Sequence, residues 1–366
     1  MSQLRLLKTK RFGPLWATQF FGAFNDNFLK NALVVLVTFR AVTVMGMPPG
    51  EIVALAGGIF ILPFFLFSAL AGQLADKYEK AMIVRWIKAV EISIMCLAAY
   101  GFLAQQHGFL LVVLFLMGLH STFFGPIKYS ILPQHLQPEE MLHGNALVEA
   151  GTFMAILLGT IAGGLLIALE GGEYVVSAGL ILIAILGYLT CLAIPRAPAV
   201  DPNIQLQFNP IRPTIELFGF ARQNISVFYA IVGISWFWFF GAILLSIFPP
   251  LCKDVLRGDE RLVTIFLSLF SIGIAIGSML AGVFSRGRLN LRFVLLGGLG
   301  LSAFSAGLFI LTRNPDPVFS LYSARSILIV IDLLLFSLFS GLFIVPLYTL
   351  MQERSNPGHR SRVIAA

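Results

Sequence analysis

Charged residues are scarce in this sequence. Only 12% of its 366 residues are charged and 58% are hydrophobic, whereas an average soluble domain carries about 25% charged residues. This scarcity over the whole length excludes an ordinary water-soluble protein and indicates that lipid surrounds much of the surface. The net charge of +7 would suit nucleic-acid binding, but the placement of the basic residues argues against such a partner.

Cysteine is scarce as well, and enzyme motifs are missing. The three cysteines, Cys96, Cys191 and Cys252, lie in or beside apolar segments without a pairing motif, so neither disulfides nor a metal cluster is predicted. The sequence has no ATP-binding G-x-x-x-x-G-K-[ST], no H-E-x-x-H and no serine nucleophile elbow. We therefore expect no cofactor, no metal and no catalytic residue, and the chain is not predicted to be an enzyme.

Long apolar runs are what the sequence has instead. A membrane-spanning helix needs about 20 apolar residues. Ten segments satisfy this length, at 14–43, 51–75, 82–104, 109–133, 142–169, 174–194, 222–250, 262–285, 291–312 and 325–350. The predicted fold is an all-α polytopic membrane protein. It has a six-helix bundle at 1–194, a polar, proline-rich cytoplasmic linker at 195–221 and an incomplete four-helix bundle at 222–366.

Basic residues test this segmentation, because cytoplasmic loops accumulate Lys and Arg. With the N-terminus in the cytoplasm, most of them fall on that side. The first two cytoplasmic segments contain Arg5, Lys8, Lys10, Arg11, Lys77, Lys80, Arg85 and Lys88. The asymmetry supports the segmentation and predicts a cytoplasmic N-terminus. Lys30 and Lys128 are left inside predicted helices.

The two halves of the chain resemble each other. Three matches occur in the same order at nearly constant spacing: Phe20–Ala23 with Phe239–Ala242, Leu70–Gly72 with Leu280–Gly282, and Gly125–Ile127 with Val345–Leu347. Together they predict a duplicated bundle. If each half has six helices, the last two would lie beyond Ala366, so we expect the chain to be a fragment of a longer protein.

The loop between the second and third predicted helices carries a specific motif. Its segment Gly72–Lys80, GQLADKYEK, is similar to the major facilitator superfamily signature G-x-L-A-D-[RK]-x-G-[RK], with Glu79 where glycine is usual. The resemblance implies a 6+6 helix bundle that works by alternating access. It also implies a conformational latch formed by Gly72, Asp76, Lys77 and Lys80. In that latch the Asp meets the start of the eleventh helix, so we expect an incomplete latch here; an ordinary solvated loop is the alternative.

Within the superfamily, two stretches resemble the bacterial lysophospholipid transporters, namely Gln19–Lys30 and Phe123–Pro133. Those proteins move lysophospholipids inward across the inner membrane for re-acylation, and some are fused ahead of an acyltransferase and an acyl-carrier-protein synthetase. The resemblance implies a multi-pass inner-membrane protein with a lysophospholipid substrate and such an enzyme as partner or fusion. The alternatives are an exporter of other amphipathic molecules and a non-transporting module that feeds lipid to an acyltransferase.

Ionisable residues inside apolar helices are the candidate site residues, because they are costly in lipid. The first predicted helix contains four polar candidates, Asn25, Asp26, Asn27 and Lys30. Spacing of i,i+4 puts Asp26 and Lys30 on one face as a pair. The repeat copy in the seventh helix lacks these charges, which favours a substrate or ion site over a pair that only locks helices together.

Further candidates lie in later helices. Lys128 follows Pro126, which can kink the helix and turn the lysine into a cavity, although it could instead reach the cytoplasmic interface. Glu149 and Asp332 are candidate pathway residues, whereas Glu91 is close enough to Lys88 for a local structural pair. For a lysophospholipid, Lys30 or Lys128 would take the phosphate and Asp26 an ammonium or a coupling ion.

Two glycine stripes permit close helix packing. They are Gly159-x-x-x-Gly163 in the fifth predicted helix and Gly273-x-x-x-Gly277 in the eighth. Because these two helices meet in the superfamily, the resemblance implies that the stripes face each other.

Overall fold

A computed structural model gives the fold of the chain. It describes residues 3–365 except 41–42, 45, 210–218, 220–221, 223, 259, 286, 314–318 and 321. Parts of the predicted linker 195–221 and of the first and seventh predicted helices therefore lie outside the described residues. Within the described ranges the chain is helical, with one isolated β-bridge between Val44 and Met47 and no strand. The predicted all-α class is confirmed.

The described α-helices are numbered here in chain order. They are α1 Gly13–Phe39, α2 Pro49–Lys77, α3 Lys80–Leu103, α4 His107–Ser130, α5 Leu132–His135, α6 Met141–Ile167, α7 Gly172–Leu192, α8 Ile225–Pro250, α9 Glu260–Phe284, α10 Arg292–Arg313, α11 Ala324–Arg354 and α12 Arg360–Ile364. Short 3-10 turns occupy Gln3–Lys8, Pro138–Glu140 and Pro357–His359, and a π-helical turn occupies Leu251–Val255.

Eight helical stretches in the described part of the chain are long and apolar enough to cross a membrane. They are Pro49–Lys77, His107–His135, Pro138–Ile167, Gly172–Leu192, Ile225–Val255, Arg261–Phe284, Arg292–Arg313 and Ala324–Arg354. The chain is therefore a multi-pass membrane protein. The helices α1 and α3 are similarly long but hold ionisable residues in their middles, so ten spanning helices stay a prediction.

Proline, glycine and a capping carboxylate set several helix boundaries. Pro49 opens α2, where its fixed φ suits the first turn. Gly171 precedes α7 with φ of 69°, a left-handed conformation that glycine adopts without a steric penalty. Glu79 caps α3 by accepting hydrogen bonds from the amides of Ala81 and Met82, at 3.0 and 2.7 Å. Glu79, which stands where the superfamily signature has glycine, thus caps the start of α3.

The chain divides into two compact units. The N-terminal unit comprises Ser2–Leu136, Ala155–Ile225 and Arg354–Ala366, and the C-terminal unit comprises Gln137–Met154 and Ser226–Glu353. The helix α6 contributes its start to the C-terminal unit and the remainder to the N-terminal unit. The domain boundaries predicted from the sequence, at 194 and 222, stay a prediction.

Inside the N-terminal unit, glycines allow α6 to approach α1. A methyl group on Gly163 would lie 2.6 Å from the carbonyl oxygen of Phe28, and one on Gly159 would overlap the carbonyl of Phe24. Beyond this contact, α1 packs on α4 and α7 through a core that includes Phe28, Met117 and Leu180. Because only glycine permits this distance, the stripe fixes where α1 lies.

Inside the C-terminal unit, the second glycine stripe has an equivalent role. A methyl group on Gly273 would lie 2.5 Å from Cβ of Ser337, and one on Gly277 would overlap the carbonyl of Leu338. Both contacts are with α11. The expectation that the two stripes pack against each other was wrong, because each stripe is already filled by a helix of its own unit.

Candidate functional site

Two consecutive residues of α1 take part in different polar groups of the N-terminal unit. Asn25 is fully buried, and its amide nitrogen donates to Oε1 of Glu91 at 3.0 Å and to the carbonyl of Leu180 at 3.3 Å. Asp26 is half-buried, and the hydroxyl of Ser121 lies 2.9 and 2.8 Å from its two carboxylate oxygens. The helix thus presents one polar side chain to the interior and the next to a more open face.

Glu91 is the centre of the interior group. The ammonium of Lys88 lies 2.6 Å from its Oε2, and Nε2 of His120 lies 3.2 Å from the same oxygen. The side chains of all three residues are at most 2% exposed. The local Lys88–Glu91 pair expected from the sequence is confirmed, but it is part of a larger group that α1 and α4 complete.

Glycines make the space that Lys88 occupies. A methyl group on Gly22 of α1 would lie 2.6 Å from Lys88 Nζ, and one on Gly187 of α7 would lie 3.8 Å from it. The ammonium also lies 5.1 Å from the centre of the Phe124 ring, within the range of a cation–π interaction. A lysine can therefore be fully buried here with a carboxylate and an aromatic face as partners.

The predicted ion pair between Asp26 and Lys30 is not formed within 4 Å, although both residues are described. Lys30 instead places its ammonium 5.5 Å from the centre of the Phe60 ring on α2, while Asp26 turns to Ser121 on α4. Spacing of i,i+4 allows the pair but does not require it, and other helices supply both side chains with partners. Asn27 donates to the carbonyl of Ala23 in its own helix, at 2.8 Å.

Lys128 lies near the end of α4, after Pro126. The helix continues through this proline to Ser130, and the lysine ammonium lies 4.8 Å from the ring centre of the neighbouring Tyr129. Its side chain is half-buried. Whether it faces a cavity or the membrane interface stays a prediction.

The C-terminal unit contains two further candidates. Glu149 is fully buried on α6, one turn after Asn145, whose amide bonds Gln352 at 2.6 Å and Thr349 at 3.0 Å. Asp332 is 8% exposed on α11, and its Oδ2 has no hydrogen-bond partner among the described residues. Gly307 of α10 leaves the space that the Asp332 carboxylate fills.

The superfamily loop binds the end of the chain. Oδ1 of Asp76 accepts from the Ser361 amide at 3.2 Å, and Oδ2 accepts from the Arg362 guanidinium at 3.0 Å. Ser361 and Arg362 lie in the first turn of α12. The expectation that Asp76 would lack a partner helix was wrong, because α12 begins where the sequence repeat places the start of the eleventh helix.

The other predicted latch residues surround this contact. Gly72 leaves room for α12, since a methyl group there would lie 2.9 Å from Cα of Arg362. Lys77 donates to the carbonyl of Ile204 at 2.7 Å. Lys80 is buried, and its ammonium has no hydrogen-bond partner among the described residues.

Residues 197–207 of the predicted linker form a strap along the same loop. The amides of Val200 and Asp201 both donate to the Asp76 carbonyl at 2.9 Å, and the Ala197 amide donates to the Glu79 carboxylate at 2.6 Å. Asp201 also accepts from the Arg362 guanidinium at 3.2 Å. The strap, the loop and α12 are therefore connected through Asp76.

Sequence reasoning missed His120 and Ser121. Neither residue is among the candidates that the sequence predicts. A usable signal was present, because His120, Ser121 and Thr122 are three consecutive polar residues in the middle of an apolar helix. Among the described residues, no cluster of three or more His, Cys, Asp or Glu could hold a metal ion.

Comparison with known proteins gives relatives along most of the chain. The lysophospholipid transporter LplT of Klebsiella pneumoniae (strain 342) is 28% identical over 351 residues, covering 92% of this chain and 78% of that protein. The LplT of Serratia proteamaculans (strain 568) is 27% identical over 348 residues, with the same coverage of both chains.

Solved structures share the fold. The human organic anion transporter MFSD10 (TETRAN) superposes with a TM-score of 0.72 at 14% identity, covering 96% of this chain and 88% of that one. A bacterial homologue of the iron transporter ferroportin, in an outward-facing state, gives 0.62 at 17% identity, covering 96% and 87%. The family model of the Major Facilitator Superfamily matches residues 15–366. The chain belongs to the Major Facilitator Superfamily.

Proposed function

We propose that this chain is a secondary transporter, or flippase-like facilitator, that moves lysophospholipids across the bacterial inner membrane toward the cytoplasmic leaflet. The observation that carries the proposal is the likeness, over 92% of the chain, to relatives named lysophospholipid transporters. As a member of a transporter family, the chain is not an enzyme.

The half-buried face of α1 supplies charges that suit a phospholipid headgroup. A lysophosphatidylethanolamine headgroup carries a phosphate and an ammonium. The Asp26 carboxylate accepts a hydrogen bond from Ser121, and in this proposal it would take the ammonium. Lys30 lies one turn along the same helix and would take the phosphate, with Lys128 as a second cation. Because Asp26 and Lys30 form no direct ion pair within 4 Å, we infer that each can bind a charge of the ligand.

The acyl chain needs an apolar surface, and the phenylalanines supply it. Several of them project from the bundle, among them Phe65 at 79% exposed and Phe239 at 65%. In a membrane protein these side chains face lipid tails. We infer that the headgroup enters among the polar residues of α1 and α4 while the single tail stays against lipid-facing phenylalanines.

Transport by alternating access requires contacts that break and reform. The Asp76 latch is one such set, because its hydrogen bonds join the loop, the strap and α12. The excess of basic residues in the predicted cytoplasmic segments supports a cytoplasmic N-terminus. Delivery to the inner leaflet would serve re-acylation, which needs an acyltransferase as partner or fusion. Glu149 and Asp332 are proposed as residues of the pathway through the C-terminal unit.

Uptake of labelled lysophosphatidylethanolamine into proteoliposomes tests the proposal. We expect Asp26→Ala and Lys128→Ala each to lower uptake about tenfold or more, because each removes a hydrogen bond to a charged group of the ligand. The exposed pair Asp254→Ala and Lys253→Ala provides matched controls that keep wild-type uptake.

The outcomes separate the alternatives. Wild-type uptake in both site variants would refute the assignment of the site. Uptake of unrelated amphipathic molecules without lysophospholipids would favour an exporter. Lipid binding with no uptake by the wild type would favour a module that only delivers lipid to an acyltransferase.

A further inference from the structure

The guanidinium of Arg362 joins two carboxylates that lie on different segments of the chain. Its Nε donates to Oδ2 of Asp76 in the superfamily loop at 3.0 Å, and its Nη2 donates to Oδ2 of Asp201 in the strap at 3.2 Å. Nη2 also donates to the carbonyl of Gly358 in its own segment, at 2.6 Å. Arginine carries five donors in a planar fork and can serve several acceptors at once. Through this residue α12 is bonded to both the loop and the strap.

Asp201 and Asp76 are also bonded to each other through the main chain. The amides of Val200 and Asp201 both donate to the Asp76 carbonyl at 2.9 Å, which uses both lone pairs of that oxygen. Asp76 therefore receives the strap at its carbonyl and α12 at its carboxylate, where the Ser361 amide and the Arg362 guanidinium donate. The loop, the strap and α12 form a closed ring of three contacts, in which each segment is bonded to the other two.

The strap is anchored at both of its ends by residues that do not belong to α12. At its start, the amide of Ala197 donates to the Glu79 carboxylate at 2.6 Å, and the amide of Lys80 donates to the carbonyl of Ala197 at 2.9 Å. At its end, the Gln207 amide donates to Oε1 of Gln73 at 2.8 Å, and Nε2 of Gln73 donates to the Gln207 carbonyl at 3.3 Å. Because these anchors bond the main chain of the strap, they hold it in place whether or not α12 is attached.

The charges around Asp76 favour a second carboxylate. The Asp76 side chain is fully buried, and the cations Lys80 and Arg360 lie within electrostatic reach of it in addition to Arg362. Like charges in one partly buried group repel one another. The Asp201 carboxylate, which is bonded to Arg362, offsets part of that repulsion.

An incidental surface ion pair is the alternative interpretation of the contact between Asp201 and Arg362. The Asp201 side chain is 36% exposed, and isolated exposed pairs contribute little because ordering two side chains costs entropy. Here Asp76 already orders the guanidinium, and the main-chain bond of Asp201 already places its short side chain nearby. Other contacts of the ring therefore cover most of the entropic cost, and the pair is not an isolated one.

We propose that Asp201 is a second carboxylate of the Asp76 latch, and that docking of the strap and attachment of α12 are one cooperative step. When α12 leaves, Arg362 is removed from both carboxylates and the strap loses a bond. When the strap leaves, α12 loses the same bond. In the transport cycle, opening of the latch would then loosen the linker as well. That consequence rests on the proposed function, whereas the coupling between the strap and α12 does not.

Amide hydrogen exchange of the full chain in detergent tests the coupling without any lipid substrate. Asp201→Asn keeps the main-chain amide and the shape of the side chain but removes its charge. We expect exchange of Arg360–Ile364 to rise about two- to fivefold, the range of an exposed ion pair. Asn203→Ala, at an exposed position of the same strap, is the matched control and should leave this exchange unchanged.

The reciprocal variant measures the coupling from the side of α12. Arg362→Gln removes the guanidinium from both carboxylates, so the amides of Val200 and Asp201 should exchange faster by a similar factor. Neither amide bonds α12, so a purely local role of Arg362 would not change their exchange. Adding Asp201→Asn to Arg362→Gln should give no further release of α12, because the shared bond is already absent. Arg354→Gln, which removes an exposed cation at the end of α11, is the control.

Each outcome has a distinct meaning. Wild-type exchange of Arg360–Ile364 in Asp201→Asn would overturn the second carboxylate, and this variant decides the point even if Arg362→Gln fails to fold. Wild-type exchange of the strap amides in Arg362→Gln, or a further release of α12 in the double variant, would overturn the cooperative step. Absence of lysophosphatidylethanolamine uptake by the wild type would refute the transport function and leave the exchange results standing.

Discussion

At the scale of single residues, a helix separates neighbours that a sequence presents as one cluster. Consecutive residues of an α-helix point about 100° apart, so Asn25 enters the buried group while Asp26 reaches the open face. The sequence predicts that polar residues lie inside α1. Which of them meets Glu91 and which meets Ser121 depends on helices α3 and α4, whose positions local spacing does not determine.

A substitution at Gly22 would test whether Lys88 needs the space beside this glycine. Gly22→Ala would place a methyl group 2.6 Å from Lys88 Nζ and push the ammonium away from Glu91. We expect a loss of about 1–3 kcal/mol in the free energy of unfolding, because a buried charge-assisted bond is strained. Thermal unfolding in detergent would measure it. Gly241→Ala is the control, since Gly241 is the repeat copy of Gly22 and has open space around it; equal shifts in both variants would contradict the prediction.

His359 makes the attachment of α12 sensitive to pH. The Arg362 guanidinium donates to its Nδ1 at 2.7 Å, and burial together with this cation lowers the pKa of His359 below 6.5. The attached segment therefore binds a proton less readily than the released segment. The contribution of His359 to the free energy of α12 attachment is therefore complete above pH 6.5, and it is lost as pH falls through the lowered pKa.

Amide exchange of Arg360–Ile364, corrected for its intrinsic pH dependence, measures this effect. We expect faster exchange at pH 5.5 than at pH 7.5 in the wild type. His359→Gln should remove the difference between the two pH values. Identical pH dependence in both proteins would show that another group is responsible.

At the scale of helices, the glycine stripe of α6 fixes the position of α1. Gly163→Ala would place a methyl group 2.6 Å from the carbonyl oxygen of Phe28, and backbone cannot move aside as a flexible side chain can. We expect a loss of about 1–3 kcal/mol in stability and lower lipid uptake, because Asp26 shifts with α1. Unfolding and uptake assays on Gly163→Ala would measure the stability and the transport. Gly58→Ala is the control, because Gly58 has open space around it. Equal losses in the two variants would contradict the prediction.

Helix positions were more predictable than helix contacts. Apolar length predicted the long helices, because spanning lipid requires about 20 apolar residues wherever they pack. The sequence predicts the glycine stripes, but it predicts their partners wrongly. A row of small residues permits close packing with any neighbouring helix and does not select which one. His120 was missed for a related reason. Its partner is a carboxylate 29 positions away in the sequence, on another helix and 3.2 Å away in space.

At the scale of the whole molecule, Asp76 holds three segments of the chain together. Its carboxylate and carbonyl accept hydrogen bonds from α12 and from the strap. Asp76→Asn keeps the shape but removes the charge that bonds the Arg362 guanidinium. Charge-assisted bonds contribute about 1.5–3 kcal/mol, so release of α12 should become about tenfold or more easier.

Hydrogen exchange of Arg360–Ile364 would measure this release. Asp254→Asn, an exposed position far along the sequence, should leave the exchange unchanged. Unaltered protection in Asp76→Asn would mean that main-chain contacts alone hold α12 in place.

The strap contributes to these contacts mainly through its backbone. Val200 and Asp201 offer amides to Asp76, Ala197 offers its amide to Glu79, and Ile204 offers its carbonyl to Lys77. Main-chain donors and acceptors persist whichever side chain is present, but they move when a residue is inserted or deleted. A change in the length of the strap should therefore disturb these contacts more than a change in its composition.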